Sequence, residues 1–316
     1  MHQQSPEIVR AEFKRPAKLM GNHFEITVVG ADQQWADARI DAAIAEISRI
    51  EKLLTTFDEN SQVNAINAQA GIAPVAVDVE VFELIRRSLK IAAVTDGAFD
   101  ITYGSIDKRL WNFDRTMQQL PDADTAKKMI RLINYRHVLL DEQAGTVMLK
   151  EKGMRIGFGG IGKGYAADRA KALLQEQGVT SGIVNASGDL VAWGLDAGGQ
   201  PWKVGIADPD HAGQPFSYLP ISDMAIATSG NYEKYVVIDG KKYSHTINPR
   251  TGLPVTGIKS VSIIAPNAEL ADAMTTPVMI RGIKAGLGMI NQIRGLACIL
   301  IDDNNNIYSS ANIHLT

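Results

Sequence analysis

The stretch from Tyr243 to Gly257 reads Tyr-Ser-His-Thr-Ile-Asn-Pro-Arg-Thr-Gly-Leu-Pro-Val-Thr-Gly and leaves the backbone few choices. Pro249 fixes its own φ, and Gly252 permits φ > 0. A short strand-like run ending at His245 therefore meets a stiff turn, and the imidazole before the turn is well aimed. Fifteen residues beyond Gly257 stands Asp272, with Thr276 four positions on. That spacing puts two side chains on one face of a helix. A positioned imidazole with hard oxygen ligands is what Mg²⁺-assisted phosphate chemistry needs. Each residue also has a plainer reading. An isolated histidine is more often a surface or satisfied core residue. Asp272 suits a first-turn acid favoured by the helix dipole, and Thr275 and Thr276 suit helix residues bonded to their own backbone.

The chain has 316 residues, 45% hydrophobic and 21% charged, which reads as one large or two ordinary globular domains. Its net charge of −3 offers no basic surplus for nucleic acid or anionic lipid. The one cysteine, Cys298, lies in the apolar run Leu296 to Ile301 and is expected to be a small buried core residue. One cysteine excludes an internal disulfide and a CxxC zinc or redox site. No 18-residue apolar run predicts a membrane span. The residues Met1 to Pro6 lack a basic region, an apolar core and a lipidation cysteine. The expectation is a cytoplasmic chain, or one whose export segment has been removed.

Hydrophobic spacing predicts a strand over 20–29 and a helix over 35–54, whose apolar stripe is Ile40, Ile44, Ile47, Ile50 and Leu54. A polar loop follows at 55–61, then helices over 79–94 and near 122–132. From residue 138 the pattern turns to short strands: 138–140 and 146–149 as a hairpin, then 154–158, 182–186, 190–194, 203–206, 217–221, 225–228, 234–238, 259–265, 296–301 and 306–309. Helices are expected over 165–177, 268–280 and 283–293, with Asn267 as an N-cap. The class is α+β: a helix-rich N-terminal half packed on a mixed, largely antiparallel sheet.

The cluster from Gly157 to Gly164, Gly-Phe-Gly-Gly-Ile-Gly-Lys-Gly, fits G-x-G-x-x-G. That motif suggests a dinucleotide-binding βαβ unit and a nicotinamide-linked oxidoreductase. The cluster lies mid-chain after a hairpin, however, without an alternating βα series around it. It also nearly spells a P-loop, but Gly164 stands where the metal-binding Ser or Thr belongs. What survives both labels is a flexible backbone at a helix N-terminus with Lys163 beside it, suited to a phosphate. Its plain alternative is a close strand–helix contact with a solvated lysine.

Taken in order, several segments resemble the FAD:protein FMN transferase family, also called ApbE or flavin transferases. They are Met20-Gly21, Thr55-Thr-Phe57 with Asn60-Ser61, Asp96-Gly-Ala-Phe-Asp-Ile-Thr102, and Gly159-Gly-Ile-Gly-Lys-Gly-Tyr-Ala-Ala-Asp168. Asn185-Ala-Ser-Gly-Asp189, Ala227-Thr-Ser-Gly-Asn-Tyr-Glu233, the His245 segment and Ala271-Asp-Ala-Met-Thr-Thr276 follow. The resemblance covers residues 20–316, leaving 1–19 as an N-terminal extension or first strand. A boundary between two subdomains would fall near 136.

The resemblance implies Mg²⁺-dependent transfer of FMN from FAD onto a Thr or Ser hydroxyl of an acceptor flavoprotein, with release of AMP. It places a nucleotide cleft between the helical half and the sheet. Met20, Phe57, Ala98, Phe99, Asp100, Gly157, Lys163 and Thr246 would contact FAD. Asp272, Thr276 and the backbone carbonyl of Gly160 would hold the metal, with Thr275 beside them, and His245 would be the base. Three positions depart from the family's habit. It commonly has an acid at Gly157, Tyr at Phe57 and Asp at Asn248. With one carboxylate in the metal set, Mg²⁺ would bind well only alongside FAD phosphates. Family members are commonly exported and face outward from the cytoplasmic membrane. The resemblance therefore implies the periplasmic face of that membrane if an export segment was removed, and the cytoplasm otherwise. The same contacts would also serve net FAD hydrolysis to FMN and AMP, or a flavin-binding protein without turnover.

Overall fold

In the computed structural model, residues 10–106, 119–210, 214–231, 235–244 and 246–313 are described. In chain order the first elements are strands β1 (Ala11–Leu19) and β2 (Asn22–Gly30), helices α1 (Gln33–Leu54) and α2 (Gln62–Ala68), and β3 (Val75–Ala76). Helices α3 (Val79–Val94) and α4 (Ala123–Ile130), strands β4 (Val138–Asp141) and β5 (Thr146–Leu149), and α5 (Gly162–Glu176) come next. Then follow β6 (Gly182–Ala186), β7 (Asp189–Trp193), β8 (Trp202–Ala207), β9 (Pro215–Ile221), β10 (Met224–Gly230), β11 (Tyr235–Ile238) and β12 (Lys241–Ser244). The chain closes with β13 (Ile258–Ala265), α6 (Ala268–Ile290), β14 (Ala297–Asp302) and β15 (Ile307–Ser309). The fold is α+β, as the sequence pattern predicts.

These elements fall into two units, each assembled from three separated stretches of chain. The first runs through Glu51 and adds Lys163–Ala227 and Ala265–Ala271. Its main sheet runs β1-β2-β6-β7-β10 with antiparallel registers throughout, and β8 and β9 form a separate antiparallel pair. Met20 (φ 52°) and Gly21 (φ 70°) make the two-residue turn between β1 and β2. Positive φ at both positions matches the right-handed twist of the flanking strands. Residues 20 and 21 are thus a turn, not the start of a strand. Ser187 (φ 56°) and Gly188 (φ 99°) make the equivalent turn before β7 and set Asp189 at its first position. The stripe on α1 is buried at Ile40, Ile47 and Ile50.

The second unit comprises Lys52–Gly162, Thr228–Ile264 and Asp272 onward. The last residues of β10 continue here beside β13, β14 and β15. All six residues of β14 are buried, which explains its uninterrupted apolar run and puts Cys298 in the core. Burial pushes that thiol up to about 12, so it stays protonated. A small sheet β3-β5-β4 and the hairpin β11-β12 complete the unit.

One element is not predicted from the sequence and one expectation fails, each for an identifiable reason. Helix α2 follows the predicted loop 55–61, where Ser61 caps it, accepting from the Asn64 N–H at 3.1 Å. Residues 154–158 form no strand although Met154, Ile156 and Phe158 are buried. Their backbone is satisfied by other groups. Asn67 accepts from the Ile156 N–H at 2.7 Å and donates to its carbonyl at 3.1 Å. Ser105 does the same for Arg155, at 2.8 and 3.0 Å, and Gly157 N–H donates to Ile101 O at 3.0 Å. A run of alternating apolar residues shows burial but not what pairs its amides. Replacing Asn67 by Ala leaves a buried N–H and C=O of Ile156 unpaired. The expected loss is about 2–4 kcal/mol of stability by urea unfolding; a loss near zero would show that another group takes up those bonds.

Candidate functional site

In the second unit, four distant stretches of chain meet around the corner Thr95–Asp100. Thr95 ends α3, and its hydroxyl accepts from the Phe99 N–H at 3.1 Å. Asp96 (φ 52°) and Gly97 (φ 74°) turn the chain sharply. Asp100 then takes three bonds: Thr102 N–H (2.8 Å) and Thr102 hydroxyl (2.6 Å) on Oδ1, and Tyr135 N–H (2.8 Å) on Oδ2. Burial raises its carboxyl above the usual range, while those bonds pull the other way. Ala98 and Phe99 are buried.

The first stretch tied to this corner is the turn after His245. Arg250 donates to Asp96 O at 3.2 Å and pairs with the Asp96 carboxylate. Both side chains are mostly exposed, so that pair contributes less than about 1 kcal/mol. Packing matters more. Ile247 is fully buried in a cluster with Ile106 and Met129, and Leu253 packs against it. Each such burial contributes roughly 1.5–3 kcal/mol. Gly252 (φ 73°) lies so close to the Ala126 backbone that no Cβ would fit. Thr246 N–H donates to Ser244 Oγ at 3.2 Å, and its carbonyl accepts from Val255 at 2.9 Å. His245 itself lies outside the described residues; the residues on both sides of it are held.

The second stretch is α6. Arg281 donates to Thr95 O at 2.9 Å. Asp272 and Thr275 are buried, at 4% and 1% exposure. Thr275 Oγ1 donates to Asp272 O at 2.8 Å and accepts from Ser229 Oγ at 2.9 Å. The hydroxyl of Thr275 is therefore spent on the protein. Pro277 lies inside α6, and Gly282 (φ 78°) breaks it into two pieces, matching the two helices the sequence predicts there.

The third and fourth stretches are the glycine cluster and the Thr55–Ser61 loop. A Cβ on Gly160 would lie 3.8 Å from both Phe99 Cε2 and Thr276 Oγ1, so the open backbone of Gly160 faces the helix that carries Asp272. A Cβ on Gly157 would lie 3.7 Å from Thr56 Cγ2. Ser61 Oγ donates to Thr55 O at 2.6 Å and pins the loop, yet Phe57 is 93% exposed. A bare aromatic ring on a tied-down loop is suited to stacking on a planar ligand.

Met20 and Lys163 belong to the first unit. Met20 N–H donates to Glu51 Oε2 at 2.9 Å. Lys163, in the first turn of α5, places its Nζ 2.6 Å from Asp189 Oδ2, whose side chain is 3% exposed. The lysine is thus already paired with a carboxylate, a partner the sequence reading did not assign. The surrounding sheet is antiparallel, so the glycine cluster is not part of a parallel βαβ unit, and the nicotinamide reading loses its structural basis.

Hard oxygen groups that could hold a metal lie in this neighbourhood: the buried Asp272 carboxylate, the Thr276 hydroxyl one helical turn on, and the Gly160 carbonyl. Among the described residues no group of three or more His, Cys, Asp or Glu side chains forms a metal site. One carboxylate with neutral oxygens suits Mg²⁺ completed by water and phosphate oxygens, rather than a closed zinc cage.

The ApbE family model matches residues 20–300. The chain belongs to the ApbE family. An FAD:protein FMN transferase of Treponema pallidum is 34% identical over 297 residues, spanning 87% of this chain and 81% of that protein. A Klebsiella pneumoniae protein of the same name is 32% identical, spanning 90% and 82%. Among solved structures, the ApbE protein of Thermotoga maritima is 31% identical with a TM-score of 0.87, covering 95% of this chain and 97% of that one. The flavinyl transferase ApbE of Pseudomonas stutzeri is 26% identical with a TM-score of 0.82, covering 96% and 95%.

The Lys163–Asp189 pair generates a prediction. Lys163→Ala removes the salt bridge to the buried Asp189 carboxylate, and losing one partner of a buried pair costs about 3–5 kcal/mol in comparable cases. Asp189→Ala in that background should return part of this. Thermal unfolding of the two singles and the double checks it, and additive losses would show that the pair is not coupled.

Proposed function

We propose that this ApbE-family chain transfers FMN from FAD to a Thr or Ser hydroxyl of an acceptor flavoprotein, releasing AMP, with Mg²⁺ bound by Asp272, Thr276 and the Gly160 carbonyl. The observation that carries the reading is the meeting of Gly160, Phe99 and Thr276 around the Thr95–Asp100 corner, beside the buried Asp272. The names of the relatives at 34% and 32% identity supply the reaction.

The reaction forms a bond from the acceptor oxygen to the FMN phosphorus and breaks the bond from that phosphorus to the bridging pyrophosphate oxygen, which leaves with AMP. Mg²⁺, when bound, offsets negative charge on the phosphate oxygens. The chain's own residues orient the reactants. Phe57 offers its exposed face to a flat ring system. His245, adjacent to a turn anchored by Ile247, Gly252 and Leu253, takes the acceptor's proton near neutral pH. Tyr103, in the 3₁₀ turn Ile101–Ser105, is hydrogen-bonded to the Ile247 backbone and helps hold that turn. Burial pushes the phenol up to about 12, so it stays neutral throughout the working range.

The test is the intact mass of an acceptor-flavoprotein fragment incubated with this protein, FAD and Mg²⁺. A gain of one FMN, abolished by EDTA, is expected. His245→Ala should remove transfer, by about 10²–10⁴-fold if it acts as a general base, while leaving FAD bound. Free FMN and AMP without a mass gain would mean hydrolysis instead. Neither product, with an acceptor that a related enzyme modifies, would overturn the catalytic reading.

A further inference from the structure

We infer that Asp168 is a positioning residue for the metal-binding turn of α6. It lies in the middle of α5, and both of its carboxylate oxygens are used on one target. Oδ1 accepts from the Ala268 N–H at 2.9 Å and Oδ2 from the Glu269 N–H at 2.8 Å. These are the first two amides of α6, which have no partner within their own helix. The third, Leu270 N–H, goes to the Asn267 side chain at 2.9 Å, and the fourth, Ala271 N–H, to Asn267 O at 3.2 Å. All four amides of the first turn are therefore held, two locally by Asn267 and two from another helix by Asp168.

Asp272 comes one residue later, and Thr275 and Thr276 lie on the next turn. A helix is rigid over so short a distance, so the pose of the first turn sets where the Asp272 carboxylate and Thr276 hydroxyl point. Ahead of the break at Gly282 the same piece of α6 is also tied at Thr275 to Ser229 and at Arg281 to Thr95, so Asp168 holds its N-terminal end and those contacts hold the rest. A local cap such as Asn267 stops the helix end from fraying but cannot fix its direction. A two-oxygen grip from a separate element can do both. Burial pushes the Asp168 carboxyl up to about 6 against the pull of the two N–H bonds, so at pH 7 and above it is ionised and both oxygens accept. Groups that orient metal ligands in this way typically change metal affinity by about 10–100-fold when replaced.

The inference rests on the metal reading above, and the experiment separates the two. Asp168→Asn keeps the shape, but only its carbonyl oxygen accepts; its NH₂ faces a second donor. Mn²⁺ binding in the presence of FAD, followed by loss of the free-ion EPR signal, is measured for wild type and variant. The Mg²⁺ dependence of FMN transfer is measured beside it. For Asp168→Asn we expect Mn²⁺ affinity and Mg²⁺ half-saturation to weaken about tenfold. The maximal rate should return at saturating Mg²⁺, and FAD binding without metal should be unchanged. Asp168→Glu, which keeps two acceptors on a longer stem, should recover part of the affinity, and it serves alone if the Asn variant does not fold. Wild-type Mn²⁺ affinity in the variant, or a lowered maximal rate at unchanged half-saturation, overturns the inference and leaves Asp168 a stabilising cap. If the wild type itself binds no Mn²⁺ with FAD, the metal reading fails first.

Discussion

The corner from Thr95 to Asp100 is held by side-chain hydrogen bonds rather than by a helix or strand ladder, and the site elements of its unit depend on it. Thr95 closes the corner on Phe99 and offers its carbonyl to Arg281 of α6. Asp96 receives Arg250 from the turn after His245. Asp100 fixes the following 3₁₀ turn and the Tyr135 amide. Because these bonds are short-range and mostly end on backbone groups, the corner tolerates little sliding. Phe99 in turn lies against Gly160, beside the helix that bears Thr276. A ligand meeting these groups finds them arranged before it arrives, which is the condition for orientation to lower a barrier.

Much of this was legible in the chain. Helices with a clear apolar stripe, such as α1 and α3, and hairpins marked by turn residues lie within a few positions of their expected bounds. The ordered motifs led to the family, which the family model and the relatives support. What sequence could not supply were partners made by single side chains across long separations. Asn67 and Ser105 take the place of neighbouring strands for residues 155 and 156, so an apolar run that looks like a strand is a loop. Asp168, Asp189 and Ser229 each sit inside a motif that carried the resemblance, yet nothing in composition or spacing says that they bond to α6, Lys163 and Thr275. The one usable signal was an acid within a helix or at a strand start flanked by buried residues, since such a group must find a donor.

The distribution of charge follows the same economy. Asp100 and Asp168 are raised by burial and spend their oxygens on backbone amides, while Asp189 pairs with Lys163. Asp272 is a further buried carboxylate, on the helix that Gly160 faces. If, as proposed, it is the one carboxylate that holds Mg²⁺, the ion binds weakly until a diphosphate brings more negative charge, so metal and nucleotide enter together rather than in turn.

Each unit is spliced from three stretches of chain, and neither is complete until late in synthesis. The first needs residues 265–271, and the second needs everything from Asp272 onward. A chain emerging from the ribosome therefore cannot finish one unit before beginning the other, as a tandem arrangement would allow. Strands β1, β2, β6 and β7 are all translated before residues 265–271, which complete their unit. Helper proteins that shield such incomplete units, and low growth temperatures, are accordingly expected to raise the yield of this protein.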